Sequence, residues 1–232
     1  MATDDTAPAA DPSLPSEPSL SSTPSPPSDP SPFPPGFFAR GDEHTDAAFY
    51  APTRLVTHID DGAIAAVGAL YQELDVTGRV LDLMSSWLSH LPAPPAHLSV
   101  LGMNATELAA NPMADDWVVH DLNTTPTLPY PDASFDDVVC CVSVDYLTRP
   151  VEVFTDVARV LVPGGRFVCT FSNRCFPTKA IRGWLMSDDA THCAIVATYF
   201  ERAGRFHEPV LDVRVAPGLG RDPLYAVWAG VQ

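Results

Sequence analysis

The chain has 232 residues, of which 29 are acidic and 13 basic, giving a formal net charge of −16; it carries 25 prolines and five cysteines. That length holds one ordinary domain and a tail, and the acidity serves solubility while arguing against broad attraction to nucleic acid or an anionic membrane, whose phosphates need clustered Lys and Arg. Nowhere do about eighteen apolar residues run together, so no membrane span is expected.

Residues 1–35 are mostly Pro, Ser, Ala and Asp, as in Pro24-Ser25-Pro26-Pro27-Ser28-Asp29-Pro30, which predicts a disordered acidic tail. The stretch has neither the basic start nor the apolar core of a targeting signal, so a cytoplasmic protein is expected. Residues 36–232 read as the folded domain, with 36–60 as a lid segment leading into it. Asp60 can cap a helix whose apolar positions Ile64, Val67, Leu70, Tyr71 and Leu74 recur at spacings of three and four. Gly78 closes that helix into Val80–Met84, too short for a helix and without a polar face, hence a buried parallel strand.

Leu91-Pro92-Ala93-Pro94-Pro95 then permits only a very short helix, because proline lacks a donor and restricts its predecessor. His97–Met103 is the second strand, and Asn104 with Glu107 has the spacing of a capping box. Trp117–Val119 is the third strand, ending in His120 and Asp121, and Phe135–Val144 the fourth. A helix is expected over Thr148–Leu161, with Pro150 in its first turn and Phe154, Val157, Ala158 and Leu161 facing inward. Pro163-Gly164-Gly165 should end it and Arg166–Ser172 form the fifth strand. Asp188 or Asp189 can cap a helix to about Arg202, closed by Gly204, and Val210–Val215 and Leu224–Ala229 are the last strands. The pattern predicts an α/β fold: a doubly wound, Rossmann-like, mostly parallel seven-stranded sheet with an antiparallel C-terminal hairpin.

The chemistry-bearing positions are few. Asp82, inside an apolar strand, needs hydrogen-bond donors from backbone, ligand or both, since a buried unpaired carboxylate is costly. The cysteines are odd in number and lack C-x-x-C spacing, which fits packed thiols in a reducing compartment and no metal site. No H-x-x-H, G-x-S-x-G or phosphate-loop pattern occurs. Lys179 is the sole lysine, a bias to which the sequence attaches no mechanism.

Leu128-Pro129-Tyr130-Pro131-Asp132-Ala133-Ser134-Phe135-Asp136-Asp137-Val138-Val139, followed by Val153–Leu161 and Pro163-Gly164-Gly165-Arg166-Phe167, resembles the class I S-adenosylmethionine-dependent methyltransferases, type 11 in particular. Val80-Leu81-Asp82-Leu83-Met84-Ser85-Ser86-Trp87 resembles a narrower, glycine-poor group within them. The resemblance spans about residues 37–232 and implies an S-adenosyl-L-methionine cofactor and a small-molecule acceptor, while the charge and the lack of a long apolar run lead to no expected nucleic-acid or membrane partner. Carried over position by position, it implies cofactor contacts at Asp82, Met84, Ser85 and Ser86 after the first strand and at Asn104, where the family has an acid for the ribose hydroxyls. It adds Asp121 and Leu122 at the adenine and Ser143 near the methionine portion. His90, Asp145 and Tyr146 fall at or beyond strand ends where the acceptor approaches, as candidate catalytic groups, with His120 a further candidate base and His58 a candidate for closing the lid.

One departure bears on all of this. The family's loop after the motif acid is rich in glycine, whereas the matching positions here are Met84, Ser86 and Leu88. Either the loop takes a different path or cofactor affinity is weak or lost. A non-catalytic binding or regulatory protein on the same fold is thus the alternative, and a nicotinamide-dependent oxidoreductase is disfavoured because no G-x-G-x-x-G follows the first strand.

Overall fold

In this computed structural model a seven-stranded sheet runs in the order β3-β2-β1-β4-β5-β7-β6. The chain divides into Met1–Pro34 and Pro35–Gln232. The structure describes residues 1–2 and 32–232, so the expected disordered tail falls almost wholly outside the described residues.

The strands are β1 Arg79–Leu83, β2 His97–Gly102, β3 Asp116–Val119, β4 Phe135–Cys141, β5 Leu161–Phe171, β6 Val210–Val215 and β7 Leu224–Gly230. β1 to β5 pair in parallel, and β7 runs antiparallel to both β5 and β6. The near-absence of alternation in β1, β2 and β4 follows from burial on both faces. One face is covered by α2 (Asp61–Glu73), whose Ala63, Val67, Leu70 and Tyr71 pack against Val80, Val100, Val139 and Val168. On the other, Phe154 of α4 (Pro150–Val160) meets Phe167 of β5 and Phe200 of α6 (Asp189–Ala203), with ring centroids 4.8 Å from each.

The helix caps are as their residue types predict. Asp60 Oδ1 accepts the Ala63 N–H at 2.8 Å, Asp188 accepts from Thr191, and Gly204 closes α6 in the left-handed conformation at φ 64°. Asp60 does more: its Oδ2 accepts the Asp222 N–H while Asp222 Oδ2 accepts the Asp60 N–H, tying the start of α2 to the β6–β7 turn.

The β4–β5 region corrects the expected boundaries. β5 begins at Leu161 and runs through Pro163-Gly164-Gly165, because the register jumps from Phe135 opposite Leu161 to Asp137 opposite Arg166. A bulge of this kind accommodates the missing proline donor, and Gly164 supplies its positive φ of 78°. β4 stops at Cys141, short of Val144, since Val142 turns to φ 46° and the chain enters a 3-10 turn at Val144–Tyr146. The lid segment contains a short helix α1 (Asp46–Tyr50), and α3 (Ala105–Ala109) and α5 (Arg182–Leu185) are each about one turn.

Candidate active site

A cavity of about 280 Å³ opens beyond the carboxyl ends of β1 to β4, where doubly wound sheets hold ligands. Asp82, Met84, Ser85, Ser86, His90, Asn104, Asp121, Leu122, Ser143 and Tyr146 all line it. Asp145 does not. It is buried in the 3-10 turn, Oδ2 has no hydrogen-bond partner, and burial pushes its carboxyl up to about 8. At neutral pH it is a protonated acid away from the lining, which corrects its expected place among the groups facing an acceptor.

The turn after β1 takes the shape that glycine adopts freely. Met84 sits at φ 58°, and Ser85 N–H then donates to Leu101 O at 2.7 Å, drawing the loop over the end of β2. The glycine that this approach requires stands on the neighbouring strand: a Cβ on Gly102 would strike the Ser85 carbonyl oxygen. Across the cavity Val142, also left-handed, ends β4, and a β-branched residue there is an outlier costing about 1–3 kcal/mol. With His90, at φ 53°, three non-glycine residues of left-handed backbone thus line one cavity. Ser143 Oγ donates to Cys141 O at 2.9 Å and lies 3.4 Å from Met84 O, tying the two strand ends together.

Asp82 is buried and accepts the Ser85 hydroxyl at 2.6 Å, and no ion pair joins it to a described cation. Burial therefore pushes its carboxyl up to about 7, against the pull of the Ser85 and Ser89 hydroxyls. Asn111 holds this loop from behind, donating to Ser86 O and Ser89 Oγ.

Asn104 is consumed by structure. Its Oδ1 accepts from Thr106 and Glu107 N–H at the start of α3, and its Nδ2 donates to the Tyr50 and Ala51 carbonyls. The acid on this side of the cavity is Glu107, missed as a site residue because its spacing reads as half of a capping box. Instead of returning to the Asn104 N–H, it accepts the Ser86 hydroxyl at 2.6 Å and the Arg54 N–H at 2.7 Å. Asp121 accepts from Asn123 N–H, Thr124 N–H and Thr124 Oγ, shaping the turn after β3 while lining the cavity.

The opposite wall is the lid segment with the loop after β5. Arg40 clasps Asp46 at 2.7 and 2.9 Å, and Asn123 Nδ2 donates to the same carboxylate at 2.8 Å. Lys179, fully buried, reaches Asp46 at 3.1 Å, Asp42 at 3.2 Å and the His44 carbonyl at 2.7 Å. Burial opposes ionisation of Asp46, but these donors outweigh it and hold its carboxyl below the usual range. Beside this clamp Phe176 meets Phe49, His58 and Tyr146 at 5.3, 5.3 and 5.9 Å, and Tyr146 Oη accepts the Phe176 N–H. Arg54 lies over Phe49 and Phe176, and Trp87 Nε1 donates to Val56 O. Burial lowers the His90 pKa, as does His58 nearby, so the His90 imidazole is neutral at pH 7. His120 Nε2 pairs with Thr125 O at 2.7 Å. Cys140, Cys169 and Cys193 are buried free thiols, and Cys175 lines the cavity. Among the described residues no His, Cys, Asp and Glu group could hold a metal ion, and no helix is long and apolar enough to cross a membrane.

Residues 77–169 match the methyltransferase domain family. The chain is 31% identical over 109 residues to Methyltransferase GfsG of Streptomyces halstedii, covering 42% of this chain and 39% of that protein. It is 34% identical over 104 residues to the ubiquinone/menaquinone biosynthesis C-methyltransferase UbiE of Roseobacter denitrificans, covering 41% and 40%. The matches thus span about two fifths of these curated relatives. Among solved structures, the [4+2]-cyclase SpnF superposes with a TM-score of 0.55 at 14% identity, over 80% of this chain and 90% of its own. Residues 77–169 are thus similar to the methyltransferase domain family, and the strand order with a cavity beyond β1 to β4 is the fold that such a domain has.

Proposed function

We propose that the protein transfers a methyl group from S-adenosylmethionine to a small-molecule acceptor. The observation that carries this reading is the division of the cavity: carboxylates of Asp82, Glu107 and Asp121 on the strand-end side, and an aromatic wall with the His58 imidazole on the lid side. The residues fit the cofactor. Asp82 is a buried acid whose protein partners are hydroxyls, the chemistry that suits an amino-acid ammonium, and Glu107 is better placed than Asn104 to accept ribose hydroxyls.

When bound, S-adenosylmethionine supplies an already activated sulfonium methyl, so the protein's contribution is positioning and electrostatics. Asp82 would hold the ammonium end, Glu107 the ribose, and Asp121 with the Leu122 backbone the adenine edge. Tyr50, Tyr146 and Phe176 exclude water from the acceptor. His90, neutral at pH 7, can take the proton that a hydroxyl or amine acceptor releases.

The substitution of Met84, Ser86 and Leu88 for glycine supports the second reading, a binding protein on this fold, and fold alone does not fix a reaction. Calorimetric titration of the protein with S-adenosylhomocysteine separates the two. Micromolar binding that weakens about tenfold or more in Glu107→Ala is expected. No binding to folded protein at millimolar ligand would remove the methyltransferase reading.

A further inference from the structure

Resting on the proposed function, we infer that the acceptor is a planar molecule bearing a single carboxylate, gripped by Arg54 over the aromatic shelf of Phe49 and Phe176. In a chain with 29 acids and 13 basic side chains, a guanidinium without a carboxylate is a minority case. Arg40, Arg79, Arg159, Arg166, Arg174 and Arg214 each pair with an acid. Arg54 lines the cavity and makes no such pair: it donates from Nη1 to Pro52 O at 3.2 Å and from Nη2 to Phe49 O at 2.9 Å. Of the five N–H donors of its fork, three are left for a ligand.

The fork is held in place beside two aromatic rings. Its central carbon lies 4.9 Å from the Phe49 ring centroid and 5.6 Å from that of Phe176, and the Arg54 N–H is fixed by Glu107. A guanidinium held against aromatic rings keeps N–H donors free, and its fork matches a carboxylate in two parallel hydrogen bonds. Phe176 also meets His58 and Tyr146, so a flat body next to the carboxylate has aromatic surface to lie against.

Charge decides between a carboxylate and a phosphate. The same cavity presents Asp82, Glu107 and Asp121, so its field disfavours a dianion, and Arg174, the other arginine on the lining, is already held by Asp222 at 2.7 Å. One fork neutralises one charge. A monoanion is accommodated there, while a second negative charge would face Asp82, Glu107 and Asp121 with no second unpaired arginine on the lining.

The test uses calorimetry on the full chain, with and without saturating S-adenosylhomocysteine, against benzoate, cinnamate, 4-hydroxybenzoate and 2-naphthoate, the primary amide of each, and phenyl phosphate. At least one carboxylate should bind about tenfold or more tightly than its amide, phenyl phosphate no better than the amides, and Arg54→Gln should abolish the difference. Carboxylates equal to their amides throughout, a preference that survives Arg54→Gln, or tighter phenyl phosphate would each overturn the inference. Failure of S-adenosylhomocysteine itself to bind is read in the first titration and counts against the proposed function, since the carboxylate preference is still measured on the free protein. Lys in place of Arg54 provides the control for lid integrity: it keeps the charge, loses the fork, and should retain only part of the preference.

Discussion

Asp82 carries the sharpest consequence at the scale of a residue. Its carboxyl is pushed up to about 7 by burial, so below neutral pH it is protonated and presents no charge to the cavity. The proposed contact with a cofactor ammonium needs the ionised form, so binding through it would release a proton wherever Asp82 starts protonated. The sign follows: affinity for S-adenosylhomocysteine should fall about tenfold per pH unit below the Asp82 pKa and level off above it. Calorimetry from pH 5.5 to 8.5 measures this, with the wild type sloping and Asp82→Asn weaker and flat. A wild-type profile without slope would mean that Asp82 does not face the ammonium. Asp82 was legible because an acid inside a five-residue apolar strand has to be explained. Asn104 was read onto the lining, but Glu107 was not, because a capping-box spacing turns its carboxylate back to the Asn104 N–H; the Ser86 hydroxyl and the Arg54 N–H, from distant parts of the chain, draw it away.

Among elements, the strands and long helices could be read because their signals are local: β-runs buried on both faces, Asp at helix starts, Gly204 at an end. The bulge in β5 was hidden, since Pro163-Gly164-Gly165 is an equally good helix stop, and only pairing with β4 carries the strand back to Leu161. The lid was hidden more deeply, because its order comes from contacts across more than a hundred residues. Lys179, a mere composition oddity in the sequence, is the pin, reaching Asp42, Asp46 and the His44 carbonyl from complete burial. Removing one partner of a buried ionic cluster strands the others. Lys179→Met should cost about 2–4 kcal/mol in chemical denaturation and speed amide exchange across residues 37–58, with exchange in β1 and β4 following only the global loss. The Arg40–Asp46 pair remains in that variant and keeps the loss below that of an isolated buried carboxylate. Unchanged exchange in the lid would show that backbone contacts such as Arg182 N–H to Ala39 O are sufficient to hold it.

For the whole molecule, the charge balance sets how stability responds to salt, and two effects compete. Exposed ion pairs such as Arg79 with Asp136 and Arg214 with Glu73 weaken as salt screens them, but each contributes about 0–1 kcal/mol. Against them stands repulsion among acids that have no cation to meet, since 29 acidic side chains share 13 basic ones. The buried cluster of Arg40, Asp46 and Lys179 is shielded from the solvent ions and changes little. Repulsion acts over the whole surface and relaxes on unfolding, so screening it favours the folded state. The midpoint of thermal unfolding should therefore rise between 10 and 300 mM sodium chloride, by about 2–4 °C for each kcal/mol of repulsion removed. Removing residues 1–31, which contain Asp4, Asp5, Asp11, Glu17 and Asp29 and no basic residue, should shrink that rise without reversing it, because acids remain in excess in the rest of the chain. A midpoint that falls with salt in both forms would mean that the surface pairs outweigh the net charge, and that the acidity is distributed so that each cation neutralises more than one neighbour.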